Sequence, residues 1–205
     1  FTDLIIRLDN YLTSEHIISF AAGGFQSFLD KSIDWDKVMP LVDHVNIMSY
    51  DLYSQTKTGH HTPLYSVNNE SYSVDSSVRY LTEIGIPKSK IVIGAAFYGR
   101  IWENVPDIKN GLFQNAKFKR AISFNELHLL DDGYNFYWDE NAKAPYGFNK
   151  DKNEFLSFDN PKSVSLKAKY VIDENLKGIM FWQLAEDSPS NGLLEAIKNK
   201  IYSNE

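Results

Sequence analysis

The chain has 205 residues, of which 43% are hydrophobic, 23% charged and 14% aromatic, with a formal net charge of −6 and a pI near 5.4. A chain of this length and composition buries a sizeable core as one domain, or one domain carrying an insertion, and is not disordered. The acidic balance, with no stripe of Lys and Arg, argues against a nucleic-acid partner, no segment has the length and apolarity of a membrane span, and zero cysteines exclude a disulfide scaffold, a cysteine zinc site and a thiol nucleophile.

Residues 1–12 place Phe1, Leu4, Ile5, Leu8 and Leu12 on one helical face, and this predicted helix begins without a cap, as if the chain had been cut into it. Phe1 is not a start methionine, so the true N-terminus is open. The apolar run 16–24 ends on a glycine pair and reads as a buried strand. In "DKSIDWDK" (30–37) the aspartates read as caps, Asp34 opening a short helix with Trp35, Val38, Met39 and Leu41 that Pro40 limits. Residues 44–50 form the next strand. Residues 73–85 form a helix capped by Ser73, striped at 74, 78, 81 and 84, and stopped by Gly85. "KIVIGAAFYGR" (90–100) reads as a continuous apolar strand ending in Tyr98, Gly99 and Arg100.

The pattern then changes. Residues 101–160 are turn-rich and aromatic, with antiparallel hairpins expected around Gly133 and Gly147. A helix resumes at 161–174, with Val164, Ala168 and Val171 or Ile172 on one face, followed by an apolar strand near 177–183 and a closing helix whose end, "KNKIYSNE", is solvated. Strands alternating with helices, and apolar on both faces, predict a parallel sheet. In a barrel of such units the C-terminal strand ends carry the site. That explains why a buried strand such as "VNIMSYDLYS" (45–54) would finish on the phenol of Tyr50 and the carboxylate of Asp51. The aromatic share fits either a rich core or a stacking surface for sugar faces.

"MSYD" (48–51), "GAAFYGR" (94–100) and "GIMFWQL" (178–184), with "HHTPLY" (60–65) and "WDENAKAPY" (138–146) in order between them, resemble glycoside hydrolase family 18, the chitinases and chitinase-like lectins. The resemblance covers essentially the whole chain. It implies an α/β fold: the C-terminal half of a (β/α)8 TIM barrel, strands five to eight, in residues 1–100 and 161–205, with an α+β insertion domain at 101–160. It also implies substrate-assisted retaining hydrolysis of β-1,4 linkages in chitin or N-acetylglucosamine oligosaccharides. There the substrate's acetamide oxygen attacks the anomeric carbon, giving an oxazolinium ion. The resemblance gives Tyr50 a hydrogen bond to the acetamide, Asp51 a contact to the sugar, and Met48 a place in the same pocket. Trp182 becomes the floor under the sugar, and Tyr98 and Arg100 line the cleft. Tyr98 has packing as its alternative, and Arg100 an ion pair with an acidic loop residue. His60 and His61 read as structural, and Trp35, Trp102 and Trp138 as packing.

The family's general acid ends an Asp-x-x-Asp-x-Asp-x-Glu motif, and no such run occurs here. The aspartates of residues 30–37 have the wrong spacing and no final Glu. The expectation is therefore a C-terminal part of a larger protein, inactive by itself, whose acid lies upstream. No metal or organic cofactor is expected, and a secreted or periplasmic protein is favoured. Open barrel edges would favour self-association. The competing functions on the same fold are a chitin-oligosaccharide lectin without catalysis, and a relative acting on peptidoglycan or N-glycans.

Overall fold

A computed structural model describes residues 1–67, 72–130 and 133–203. Asp131 and Asp132, read with Gly133 as a turn, lie outside those residues, as do Asn204 and Glu205 of the C-terminal run. In chain order the elements are α1 (Thr2–Tyr11), β1 (Ser19–Gly23), α2 (Gln26–Lys31), α3 (Trp35–Val38), β2 (His44–Met48), α4 (Val74–Glu83) and β3 (Ile91–Ala96). There follow β4 (Tyr98–Glu103), β5 (Lys117–Ser123), β6 (Tyr134–Asp139), β7 (Ala144–Asn149), β8 (Glu154–Ser157), α5 (Pro161–Asp173), β9 (Gly178–Trp182) and α6 (Leu193–Tyr202).

Four of these strands form a parallel sheet in the order β1-β2-β3-β9. Its register sets Ala22 beside Ile47, Ile47 beside Ile93, and Ala96 beside Trp182. The helices between strands pack on it through Val74, Val78 and Leu81 of α4 and Val164, Ala168 and Val171 of α5. Both helices start in a capping box: Ser73 with Ser76 for α4, and Asn160 with Ser163 for α5. In each, the first orphan amides of the helix gain side-chain acceptors. Gly85, at φ +92°, takes the left-handed conformation just after α4 that an L side chain resists. Among the described residues, no helix is long and apolar enough to cross a membrane.

The second sheet is antiparallel, in the order β5-β4-β8-β7-β6. Here the structure corrects the reading of residues 90–100 as one strand. β3 stops at Ala96, and Tyr98 already belongs to β4 of the other sheet. The switch falls on Phe97, fully buried, whose N–H donates to the Trp182 carbonyl at 2.8 Å and whose carbonyl accepts from the Phe124 N–H at 2.9 Å. Gly147 is not a turn residue either. It lies inside β7, where a Cβ would come within 3.2 Å of the Tyr134 ring, so its bareness admits a cross-strand aromatic. The β6–β7 turn is instead held by Asp139 Oδ1, which accepts from the N–H groups of Asn141 and Ala142 at 2.9 and 3.1 Å.

Two further expectations change. In α1 only Ile5 is buried, while Phe1 and Leu4, assigned to the same face, are 54% and 55% exposed. The aspartates of residues 30–37 do not cap by their side chains. Asp34 stands at the N-cap of α3, but its carboxylate takes the Lys37 ammonium at 2.7 Å. Asp30 lies within α2 and accepts from the Tyr80 hydroxyl. In both, a nearby donor wins over the helix amides.

Candidate active site

The parallel strands direct their C-terminal ends to one side, and the sequence-selected residues follow directly after them. Ser49, fully buried, comes directly after β2. Its Oγ accepts from the Gly94 N–H at 2.9 Å and donates to the Gly94 carbonyl at 3.1 Å, tying β2 to β3 just where the ladder stops. Tyr50 follows, 8% exposed, with its ring on Gly94: a Cβ there would meet the Ile47 carbonyl and the Tyr50 ring, both at 2.8 Å. Gly94 is thus a close-approach glycine. The Tyr50 ring stands edge-on to Tyr98 at 6.0 Å, with Met48 and Met180 half-buried against the pair. Burial first, and Asp51 second, push the Tyr50 phenol up to about 12, so it remains a protonated donor at neutral pH.

Asp51 has a backbone φ of +57°. Its carboxylate is forked by Arg100, Nε to Oδ1 at 2.8 Å and Nη2 to Oδ2 at 2.7 Å, the bidentate geometry that fixes orientation as well as charge. The guanidinium lies over the rings of Tyr98, Phe118 and Tyr53 at 4.9, 5.5 and 5.6 Å. His61, fully buried, brings Nδ1 to 3.6 Å from Asp51 Oδ1, the oxygen that also accepts from Arg100 Nε. Desolvation would raise the Asp51 pKa, but His61 and Arg100 outweigh it and hold the carboxyl below its ordinary value. Burial drives the His61 pKa down, while Asp51 pulls it the other way.

Met48, Tyr50, Asp51, Tyr98 and Arg100 are therefore brought into one cluster. Trp182 ends the neighbouring strand, beside Ala96 in register, and is 60% exposed, with a cis peptide to Gln183. Arg100 does pair with an acidic loop residue, and that residue is Asp51 itself. His60 binds Asp139 Oδ2 at 2.9 Å and ties the loop after β2 to the second sheet, a structural role. Trp35 and Trp102 are buried, their indole N–H groups on the Leu29 and Ser54 carbonyls at 2.6 and 3.0 Å, while Trp138 lies under the Lys162 ammonium at 3.7 Å. Sequence reasoning missed the contact of His61 with Asp51 and the clamp by Ser49. A hydroxyl between an apolar run and "YD" was the available signal for Ser49; nothing local marked His61. Among the described residues, no group of His, Asp and Glu is placed to hold a metal ion.

The family model described as glycosyl hydrolases family 18 matches residues 1–187. The chain belongs to that family. It is 28% identical over 195 residues to Chitinase A1 of Niallia circulans, covering 84% of this chain and 28% of that protein. It superposes on the chitinase ChiW of Paenibacillus sp. str. FPU-7 with a TM-score of 0.91 and 34% identity, over 98% of this chain and 25% of that one. Against the family 18 N-acetylglucosaminidase of Paenibacillus barengoltzii the TM-score is 0.86 with 35% identity, over 97% of this chain and 62% of that one. The chain thus spans only part of the length of these proteins. Its fold is the C-terminal half of a family 18 (β/α)8 barrel with the α+β insertion.

Proposed function

We propose that the protein containing this chain hydrolyses β-1,4 linkages between N-acetylglucosamine units, as in chitin, by the substrate-assisted retaining route. Besides family membership, the observation that carries the reading is the Asp51–Arg100 fork beside the Tyr50 phenol at the C-terminal ends of the parallel strands. Tyr50 donates to the acetamide and orients its carbonyl oxygen for attack on the anomeric carbon. Asp51, held by Arg100, accepts from the sugar bound there. The exposed face of Trp182 stacks under that sugar. Met48 and Tyr98 complete the wall. The second sheet, from β4 onward, is on this reading a separate insertion domain that delivers Tyr98 and Arg100 to the cleft.

The leaving oxygen must also be protonated, a contribution of about 10²–10⁴-fold. This chain has no residue in the family's acid motif. The acid therefore comes from outside it, and residues 1–205 alone release no product. The test is a fluorogenic chito-oligosaccharide assay of the complete protein beside the isolated chain. Turnover by the complete protein only is the expected result. Tight oligosaccharide binding without turnover by the complete protein would overturn hydrolysis in favour of a lectin.

A further inference from the structure

Behind the site lies a set of buried polar groups with no part in the chemistry above. Asp159, just after β8, and Lys167, in the middle of α5, are both fully buried, with Lys167 Nζ 2.6 Å from Asp159 Oδ2. Asp159 Oδ2 also accepts from the Ala96 N–H at 3.0 Å, and Oδ1 accepts from the Ser163 hydroxyl at 2.6 Å. Lys167 makes a second bond, to Thr62 Oγ1 at 2.6 Å, and Thr62 Oγ1 donates onward to the Ser49 carbonyl at 3.2 Å. One ammonium and one carboxylate thus reach both points at which chain leaves the parallel sheet for the site. Ser49 immediately precedes Tyr50, and Ala96 is the last residue of β3 before the turn that delivers Tyr98 and Arg100.

Neither stability nor helix capping accounts for this arrangement. Taking two charges out of water is costly, and replacing such a pair by apolar groups is often neutral or stabilising. The amides of α5 already have a cap in Asn160, whose Oδ1 accepts from the Ser163 N–H at 2.9 Å. What a buried, fully bonded network supplies beyond apolar packing is direction, because each bond admits one geometry.

We infer that Lys167, Asp159 and Thr62 are positioning residues that hold the Ser49–Asp51 arm and the Ala96–Arg100 arm in register, so that the Asp51–Arg100 fork forms in one geometry. The kinetic consequence rests on the proposed function, and the geometric one does not. The test is made in the complete protein with Thr62→Val, which keeps the shape of the side chain but takes the acceptor from Lys167 and the donor from the Ser49 carbonyl. Thr62→Ala removes the same hydroxyl should the valine variant fold poorly. With the arms displaced, kcat on a chito-oligosaccharide falls on the order of ten- to a hundredfold with KM little changed, and Thr62→Ser restores it. A crystal structure of the valine or alanine variant then shows the fork opened. A folded variant with native kcat overturns the inference, as do equal losses in the valine and serine variants or an undisturbed fork. If the unaltered protein cleaves nothing, the functional reading fails, and the fork in the variant structure alone decides the inference.

Discussion

The two sheets, joined at Phe97, bury themselves in different ways. In the antiparallel sheet β7 and β8 are buried at every residue. One face packs through Ile101, Ile122 and Leu156, the other through Trp102, Phe148 and Phe155, so the chain itself covers both. In the parallel sheet β3 is buried throughout, but β9 is at most half-buried with Trp182 60% exposed, and Ile17 before β1 and Leu184 after β9 stand 73% and 61% exposed. The region that completes its own core sends two side chains, Tyr98 and Arg100, into the site. The region with the uncovered face provides Tyr50, Asp51 and Trp182. Closure of the core and placement of the candidate site are thus separable here, and substitutions can be chosen to disturb one without the other.

The largest expected effect is on the closed side. Trp102 is fully buried between Tyr53, Phe118 and Phe155, and Trp102→Ala lowers stability by about 3–5 kcal/mol, read as a fall in the urea midpoint of the complete protein. A midpoint unmoved by that change would break the comparison. Next, Tyr50→Phe on the open side removes a phenol and little packing. It lowers kcat by about 10²–10³-fold while oligosaccharide affinity and the urea midpoint change far less. Equal losses in turnover and affinity would move Tyr50 from chemistry to simple binding. Smaller again is Trp182→Ala, which weakens oligosaccharide binding by about 0.5–1.5 kcal/mol, a calorimetric Kd change of a few fold.

The smallest effect is in pH. The Asp51 carboxyl is held below its ordinary value, against its own burial, by His61 and Arg100. A depressed carboxyl contributes its stabilisation fully above the unfolded pKa and loses it as pH falls through the folded one. The acid limb of kcat/KM therefore begins below the range of a free carboxylate. Arg100→Met moves that limb to higher pH; a limb that stays put would remove Arg100 from the control of Asp51.

Much of the parallel sheet was legible because its strands are short and rich in apolar residues, "IVIGAA" and "GIMFW" without a break and "HVNIM" through Val45, Ile47 and Met48. α4 was legible from Ser73 and Gly85, whose roles are local. The division of residues 90–100 between two sheets was not, because the switch is made by Phe97, a residue as apolar as its neighbours. Asp34 looked like a cap until Lys37, three residues on, took its carboxylate. At the site, Tyr50, Asp51, Arg100 and Trp182 could be selected by resemblance, but their mutual geometry could not. The fork joins residues 49 apart, and the bond of Lys167 to Thr62 joins residues 105 apart. Such pairings follow from tertiary packing and leave no spacing to read.

The left-handed backbone at Asp51 bears on how substitutions at this position are to be interpreted and on which ones drift could tolerate. Asparagine enters that conformation as readily as aspartate and glycine more so, whereas other side chains meet a penalty of about 1–2 kcal/mol. Asp51→Asn therefore keeps chain path and side-chain volume while it removes the charge and one of the two acceptors of the Arg100 fork. Asp51→Ala or Asp51→Val changes the charge and strains the link between Tyr50 and Leu52 in the same step, and its phenotype mixes the two. Over evolutionary time the backbone holds the position open to very few residue types.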